Sequence, residues 1–289
     1  MRPLRVALVH RDSDRCTDKR MVGIWSSPVP EFQWHHFPQK KGFVINRSHW
    51  RGFDLIFYED GKLHGQFVGS GPPIVYYVVD STLSEGHLKT RREQAKQVDL
   101  VLVDHDKLKR LKVGPPVARL SHCVNTQLFQ NYALEKDVDV SFHCRTKGSA
   151  DRSDVEERLH DFCASRGYVY ACGTRFDRDY AHAFNRSKIT VNVTRTPINR
   201  PHRVFDALAC RTCMITTPLP RVSGETRRAG RDYLQYNEVP ELFTLIDKTL
   251  RDGSWDGIAN TGFELVQEHH TWAVRAKQLR QILKERLGL

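Results

Sequence analysis

Three basic residues and a carboxylate, Arg200, His202, Arg203 and Asp206, crowd around Pro201 within the stretch Asn185 to Pro218. Proline suits the first turn of a helix, where its missing N–H costs nothing. A helix starting there puts Arg200, His202 and Arg203 at an N-terminus, where unpaired backbone amides and the macrodipole already favour an anion. Asp206 lies about one turn further on, and a carboxylate there suits ribose hydroxyls. At helical spacing Val204, Phe205 and Leu208 share one face, while Arg203, Asp206, Ala207 and Cys210 share the opposite one. One face is expected to pack and the other to meet a ligand, and the matching ligand chemistry is a nucleoside diphosphate. A solvated amphipathic helix whose charges do nothing satisfies the same spacing.

The elements that must position this cluster are strands on either side of it. Ile189 to Val193 and Cys213 to Thr216 are β-branched or apolar runs, and Val138 to His143 and Tyr168 to Cys172 precede them. Ser153 and Glu156 have the spacing of a capping box ahead of an apolar-periodic run, which predicts a helix between those first two strands. The loop Cys144 to Ser149, CRTKGS, offers Arg145 and Lys147 around Gly148, which lets backbone approach phosphate. An exposed turn reads equally well. In the first half, Leu4 to His10, Phe53 to Tyr58, Ile74 to Val79, Leu100 to Val103 and Val117 to Leu120 alternate with polar, partly helical segments, the rhythm of doubly wound α/β units. At 289 residues the chain suits about two domains. The boundary between residues 1–125 and 126–289 is expected near Asn125 to Asp137.

Arg203 to Ala209, RVFDALA, followed by Cys210, resembles the RVFEALACG signature of CgeB-like glycosyltransferases, a branch of the retaining group-1 enzymes with two Rossmann-like domains, the GT-B fold. In the same order stand FDLIFYED (Phe53 to Asp60), IVYYVVDST (Ile74 to Thr82), VDLVLVDHDKLKRLK (Val98 to Lys112), VNTQLF (Val124 to Phe129), DVDVSFHCR (Asp137 to Arg145) and EHHTWAVRAKQLRQIL (Glu268 to Leu283). The resemblance covers most of the chain beyond about residue 50. It implies an α/β fold with a cleft between two Rossmann-like domains, a C-terminal helix that crosses back onto the first, and a nucleotide sugar as co-substrate. Three positions depart from the pattern. The family's Glu is Asp206, and its following Gly is Arg211; an acidic residue of the broader group falls on apolar Ile198.

On that reading Arg200, Arg203 and the helix N-terminus take the diphosphate and Asp206 the ribose. Arg145 and Lys147 add charge as the leaving group departs. The expectation is therefore a reaction without metal or other cofactor. Asp80, just past Ile74 to Val79, would sit at the carboxyl end of a strand, where open α/β sheets bind ligands, and is the leading candidate for a general base. His10 and Asp12, past the first strand, are alternatives, and a structural Asp at a strand end is an equally good account of Asp80.

The acceptor is read from charge. Forty-five basic against thirty-four acidic residues give a formal charge of +11, which implies an anionic partner, although generic solvated charge accounts for it as well. Lys40, Lys41 and Arg47 lie in the aromatic-interspersed run Phe37 to Trp50, and Arg227 and Arg228 in Arg221 to Arg231; Lys89 to Lys96 is a further basic run. Such runs suit nucleic acid. The favoured acceptor is a hydroxymethylated pyrimidine in double-stranded DNA, by analogy of fold with phage glucosyltransferases. Phe37, Phe43 and Trp50 could then wedge a flipped base out, or simply be core aromatics. Surface or spore glycans are the alternative acceptor, and a non-catalytic nucleotide or nucleic-acid binding module is the alternative of another class.

Other classes fit poorly. The first strand runs into HRDSDR with no G-x-G-x-x-G, which argues against a dehydrogenase. No apolar run approaches a membrane-spanning length, the N-terminus reads as a strand rather than a signal peptide, and seven cysteines suit a reducing compartment, so a cytoplasmic location is expected. Cys210 and Cys213 form one C-x-x-C without a second ligand pair, and the adjacent histidines His35 and His36 would point to opposite faces of an extended strand.

Overall fold

The computed structural model describes residues 2–11, 25, 27–59, 65–78, 85–104, 114–194, 201–219 and 227–289, with backbone alone for 85–88. Asp12, Asp80, Ile198 and Arg200 lie outside the described residues. Two compact units divide the chain: Met1–His122 with Trp272–Leu289, and Cys123–Thr271.

The first unit is built on a six-stranded parallel sheet of β1 (Leu4–Arg11), β2 (Phe32–Gln39), β4 (Leu55–Glu59), β6 (Ile74–Val78), β7 (Leu100–Val103) and β8 (Val117–Arg119), ordered β2-β1-β4-β6-β7-β8. Its central strands β4, β6 and β7 are buried along their whole length, as strands covered on both faces must be. The sequence pattern did not mark β2, because Pro38 and alternating exposure belong to an edge strand, where a missing N–H breaks no ladder. A separate pair, β3 (Val44–Asn46) and β5 (Gln66–Val68), also runs parallel. Helix α1 (Glu85–Ala95) precedes β7. The C-terminal helix of this unit, Trp272–Leu287, enters its core through Trp272, whose ring lies 4.8 Å from Trp25 and whose Nε1 donates to Ser27 O at 3.1 Å.

The second unit carries a five-stranded parallel sheet of β9 (Val138–Phe142), β10 (Tyr170–Cys172), β11 (Ser187–Asn192), β12 (Cys213–Thr216) and β13 (Leu234–Gln235), ordered β10-β9-β11-β12-β13. Its helices are α2 (Ala150–Arg166), α3 (Asp177–Arg186), α4 (His202–Ala209), α5 (Val239–Asp252) and α6 (Trp255–His269); the terminal helix of the first unit is α7. The expected capping box is not used: α2 starts at Ala150, so Ser153 lies inside it, its hydroxyl donating to Ser149 O at 3.3 Å. Helix α4 begins one residue after Pro201, which serves as its N-cap. Its two-faced pattern is also overturned, because every residue from Val204 to Ala209 is buried. Gly262 of α6 makes that enclosure possible: a Cβ there would fall 2.7 Å from Leu208 Cδ2 and 2.5 Å from Asp232 O.

Candidate functional site

In the order β10-β9-β11-β12, the chain leaves β9 towards one edge of the sheet and leaves β11 towards the other. Such a switch point opens a crevice outside the carboxyl ends of the two strands, where open α/β sheets bind ligands. Cys144 stands just past the end of β9 and Asn192 is the last residue of β11.

Arg203, in the first turn of α4, reaches both. Its Nη1 donates to Asn192 Oδ1 at 2.8 Å and lies 2.6 Å from Cys144 Sγ, while its Nε donates to the Tyr180 hydroxyl at 2.9 Å. Tyr180, on α3, donates in turn to His143 O at 3.2 Å. Asn192 is held from behind, its Nδ2 donating to Thr216 Oγ1 at 2.8 Å, and both are fully buried. Among the described residues Arg203 Nη2 has no partner. The protein therefore holds Nε and Nη1 and leaves Nη2 open at the start of a helix, a place that suits an anion. Burial weighs against the charge of Arg203, but Tyr180 and Cys144 outweigh it and hold its pKa above the usual arginine value, so it stays cationic at any working pH.

The loop after β9 belongs to the same crevice. Arg152 of α2, buried, donates from Nε and Nη2 to Val193 O at 3.1 and 2.8 Å and from Nη1 to Arg145 O at 3.3 Å, pinning that loop to the end of β11. The Arg145 and Lys147 side chains remain exposed. Gly148 has φ +79°, a left-handed value that a side chain would strain. Asp206 is 1 % exposed, so its carboxylate faces protein rather than open solvent.

His143, at the end of β9, is buried, and its Nδ1 donates to Gly173 O at 3.2 Å. Burial, opposed by that hydrogen bond and reinforced by Arg175 and Arg203, brings its pKa down to about 4. The ring is neutral at neutral pH, with its proton on Nδ1.

The residues expected on the acceptor side are more dispersed. His10, at the end of β1, sits edge-on to His36 with ring centroids 5.6 Å apart, and burial followed by His10 and His35 lowers the pKa of His36. Lys40, Lys41 and Arg228 are exposed. Arg47 is not available to a nucleic acid: it donates to Pro72 O at 2.7 Å and pairs with Asp99 at 3.3 Å. Arg227 is partly buried, and burial lowers its pKa. The three aromatics considered as wedges are core residues, Phe43 being 8 % exposed and Phe37 packing on Trp50 at 4.4 Å. Among the described residues no group of three His, Cys, Asp or Glu is arranged around a common metal position.

A glycosyl transferase-like family model matches residues 142–281, which begin at the end of β9 and contain the whole crevice. The architecture agrees along the full length. HepE of Anabaena, solved with UDP, superposes with a TM-score of 0.66 at 12 % identity, covering 99 % of this chain and all of that one. The fold is GT-B, and the matched sequence is glycosyltransferase-like. Sucrose-phosphate synthase of Thermosynechococcus elongatus (TM-score 0.64, 13 % identity, 98 % of both chains) and a glycosyltransferase of Rickettsia africae (0.61, 9 %, 99 % of both) share the fold. No protein of curated function matches the chain in sequence.

Within this glycosyltransferase-like half, the Arg211 departure has a backbone consequence. Arg211 has φ +52° in the turn after α4, the left-handed conformation that explains why a glycine suits this position. Its side chain pairs with Asp256 at 3.2 Å. The sequence singles out Arg203 as a candidate but not the residues that hold it. Asn192 carried a signal, as a polar residue ending an apolar strand; Tyr180, twenty-three residues before Arg203, carried none, because only the packing of α3 on α4 brings them together.

Proposed function

We propose that the chain transfers a sugar from a nucleoside-diphosphate donor to a hydroxyl acceptor. The observation that carries this reading is Arg203, anchored across the switch point by Asn192, Cys144 and Tyr180 with Nη2 left to a ligand. Glycosyl transfer builds negative charge on the departing diphosphate, and a cation already held in place stabilises it without reorganising. Arg145 and Lys147 supply further positive charge from the exposed loop after β9. HepE, solved with UDP and with UDP-glucose, supports a uridine-diphosphate donor by similarity of fold. Metal independence is part of the proposal, and turnover is expected to survive EDTA. Asp80 is the proposed general base, which normal turnover of Asp80→Asn would exclude.

For the acceptor we infer an anionic polymer, DNA carrying a hydroxymethylated pyrimidine, supported by the net charge of +11 and the exposed Lys40, Lys41 and Arg228. The experiment is release of nucleoside diphosphate from a panel of nucleotide sugars, with and without hydroxymethylcytosine DNA, followed by product mass. DNA-dependent release with a sugar mass added to the base establishes donor and acceptor together. Donor hydrolysis that DNA does not stimulate favours a glycan acceptor, and binding without turnover on any acceptor favours the non-catalytic module.

A further inference from the structure

Strands β3 and β5 form a parallel pair apart from both large sheets. Strand alternation divides the pair into two faces. Ile45 and Phe67 turn inward onto the core of the first unit with Phe43, while Val44, Asn46, Gln66 and Val68 are exposed. Gly65 lets that seat close, because a Cβ there would collide with the Phe43 ring. In register Val44 lies beside Gln66 and Asn46 beside Val68, so the outer face is a checkerboard of two valines and two amides. Val44 is 63 % exposed and Val68 43 %, the exposed large hydrophobics of this unit among the described residues. Asn46 Oδ1 is committed to Ser48 N at 3.1 Å, whereas no hydrogen bond holds the Gln66 side chain among the described residues.

The rim of this face is basic. Lys40, Lys41, His49 and Arg51 are exposed, and neither Phe32 to Phe53 nor Gly65 to Val79 contains an acidic residue. Asp54, next along the chain, is taken up by Arg2 at 2.6 Å, and Asp99 pairs with Arg47 of the same stretch at 3.3 Å. A surface of this kind attracts a polyanion. A lipid surface calls for Trp, Phe or Leu beside the cations; this face offers β-branched methyls and amides, the groups that meet base edges.

We infer that the outer face of β3 and β5 docks in the major groove of double-stranded DNA. Gln66 reads an adenine edge, Val44 and Val68 pack on thymine C5-methyl groups, and Lys40, Lys41 and Arg51 meet flanking phosphates. The inference rests on the DNA acceptor reading above and gives it a binding face and a groove. A major groove about 12 Å wide admits a two-stranded ribbon, and a side-chain amide carries the donor and acceptor that adenine N7 and N6 require. The pyrimidine C5 position, which bears the hydroxymethyl group of the proposed acceptor, projects into that same groove.

The test is fluorescence anisotropy of the purified full-length chain with labelled duplexes over a series of salt concentrations: one sequence carrying thymine, its uracil twin, and a G·C-rich duplex. Phosphatidylglycerol vesicles are assayed alongside. The thymine duplex should bind about threefold or more tighter than the uracil twin, which lacks only the methyl groups, and tighter than the G·C-rich one. Val44→Ser with Val68→Ser should erase the thymine–uracil difference, and Gln66→Ala the preference for A·T. Lys40→Ala with Lys41→Ala should weaken every duplex alike and lower the salt slope by about two. These positions are all exposed, so the core is spared. Equal binding of the thymine and uracil duplexes, or variants that bind as the wild type does, overturns the inference; the acceptor reading then stands if DNA still stimulates release of nucleoside diphosphate. Binding to vesicles but to no duplex, without stimulation by DNA, overturns both.

Discussion

Arg203 Nη1 and Asn192 Oδ1, 2.8 Å apart, tie the first turn of α4 to the last residue of β11. Two elements that diverge from a parallel sheet are thereby held at fixed separation by one charge-assisted hydrogen bond, and the guanidinium is aimed before any ligand arrives. Arg203→Ala should lower kcat by roughly 100-fold or more, in keeping with losses of about 2.7–4 kcal/mol when a group stabilising transition-state charge is removed. Asn192→Leu keeps the cation but releases it, and should cost about tenfold, since a hydrogen bond to a charged group contributes about 1.5–3 kcal/mol. Release of nucleoside diphosphate reads both, and circular dichroism confirms that the variants fold. Near-normal turnover in Arg203→Ala would remove it from the mechanism.

Acid should unfold the second unit through His143. Its folded pKa of about 4 lies below the ordinary histidine value of 6.5, so between those pH values the unfolded chain binds the extra proton and stability falls as pH is lowered. The contribution is fully present above about pH 6.5 and lost progressively towards pH 4, amounting to about 3 kcal/mol on the scale of 1.36 kcal/mol per pH unit. Urea titrations at pH 7 and pH 4.5 should show the wild type losing more stability than His143→Phe. Equal losses would mean that the ring is protonated without penalty.

Lys136 behaves in the opposite pH range. Burial lowers its pKa to about 8 from 10.5, although its Nζ reaches Phe184 O at 3.4 Å and Thr212 Oγ1 at 3.3 Å. Both states are charged below pH 8, where the folded state bears the full cost of burying the ammonium. Stability gains back that cost as pH rises from 8 to 10.5, because the folded chain deprotonates first. Lys136→Met should therefore stabilise the protein by about 1–2 kcal/mol at pH 7, less than the pKa shift alone implies because the two hydrogen bonds are lost, and the advantage should shrink at pH 10. A destabilised variant at pH 7 would show that those hydrogen bonds outweigh the burial.

Arg211→Gly should raise the melting temperature. A non-glycine residue in the left-handed region costs about 1–2 kcal/mol, against an exposed ion pair with Asp256 worth about 0–1 kcal/mol. The net expectation is a gain of about 0.5–1 kcal/mol, seen as a rise of about 1–4 °C for a protein of this size. The companion change Gly262→Ala should act in reverse, because its methyl would press on Asp232 O at 2.5 Å, a backbone atom that cannot swing away.

The sequence by itself determined the two doubly wound sheets, since continuous β-branched runs such as Ile74 to Val78 and Leu100 to Val103 suit buried parallel strands and little else. It also singled out Arg203 as a candidate, because a cation beside a proline at a helix start is a local signal. What it could not determine was the surrounding of that residue. Spacing along α4 divides it into two faces, but α6 approaches through Gly262 and buries both, Asp206 included. Local periodicity reports which side of a helix is apolar, not how many neighbours arrive. Edge strand β2 and the partners Tyr180, Cys144 and His143 were decided in the same way by tertiary structure. Their roles depend on contacts between residues far apart in the chain, which follow from strand order and helix packing rather than from any pattern within a single element.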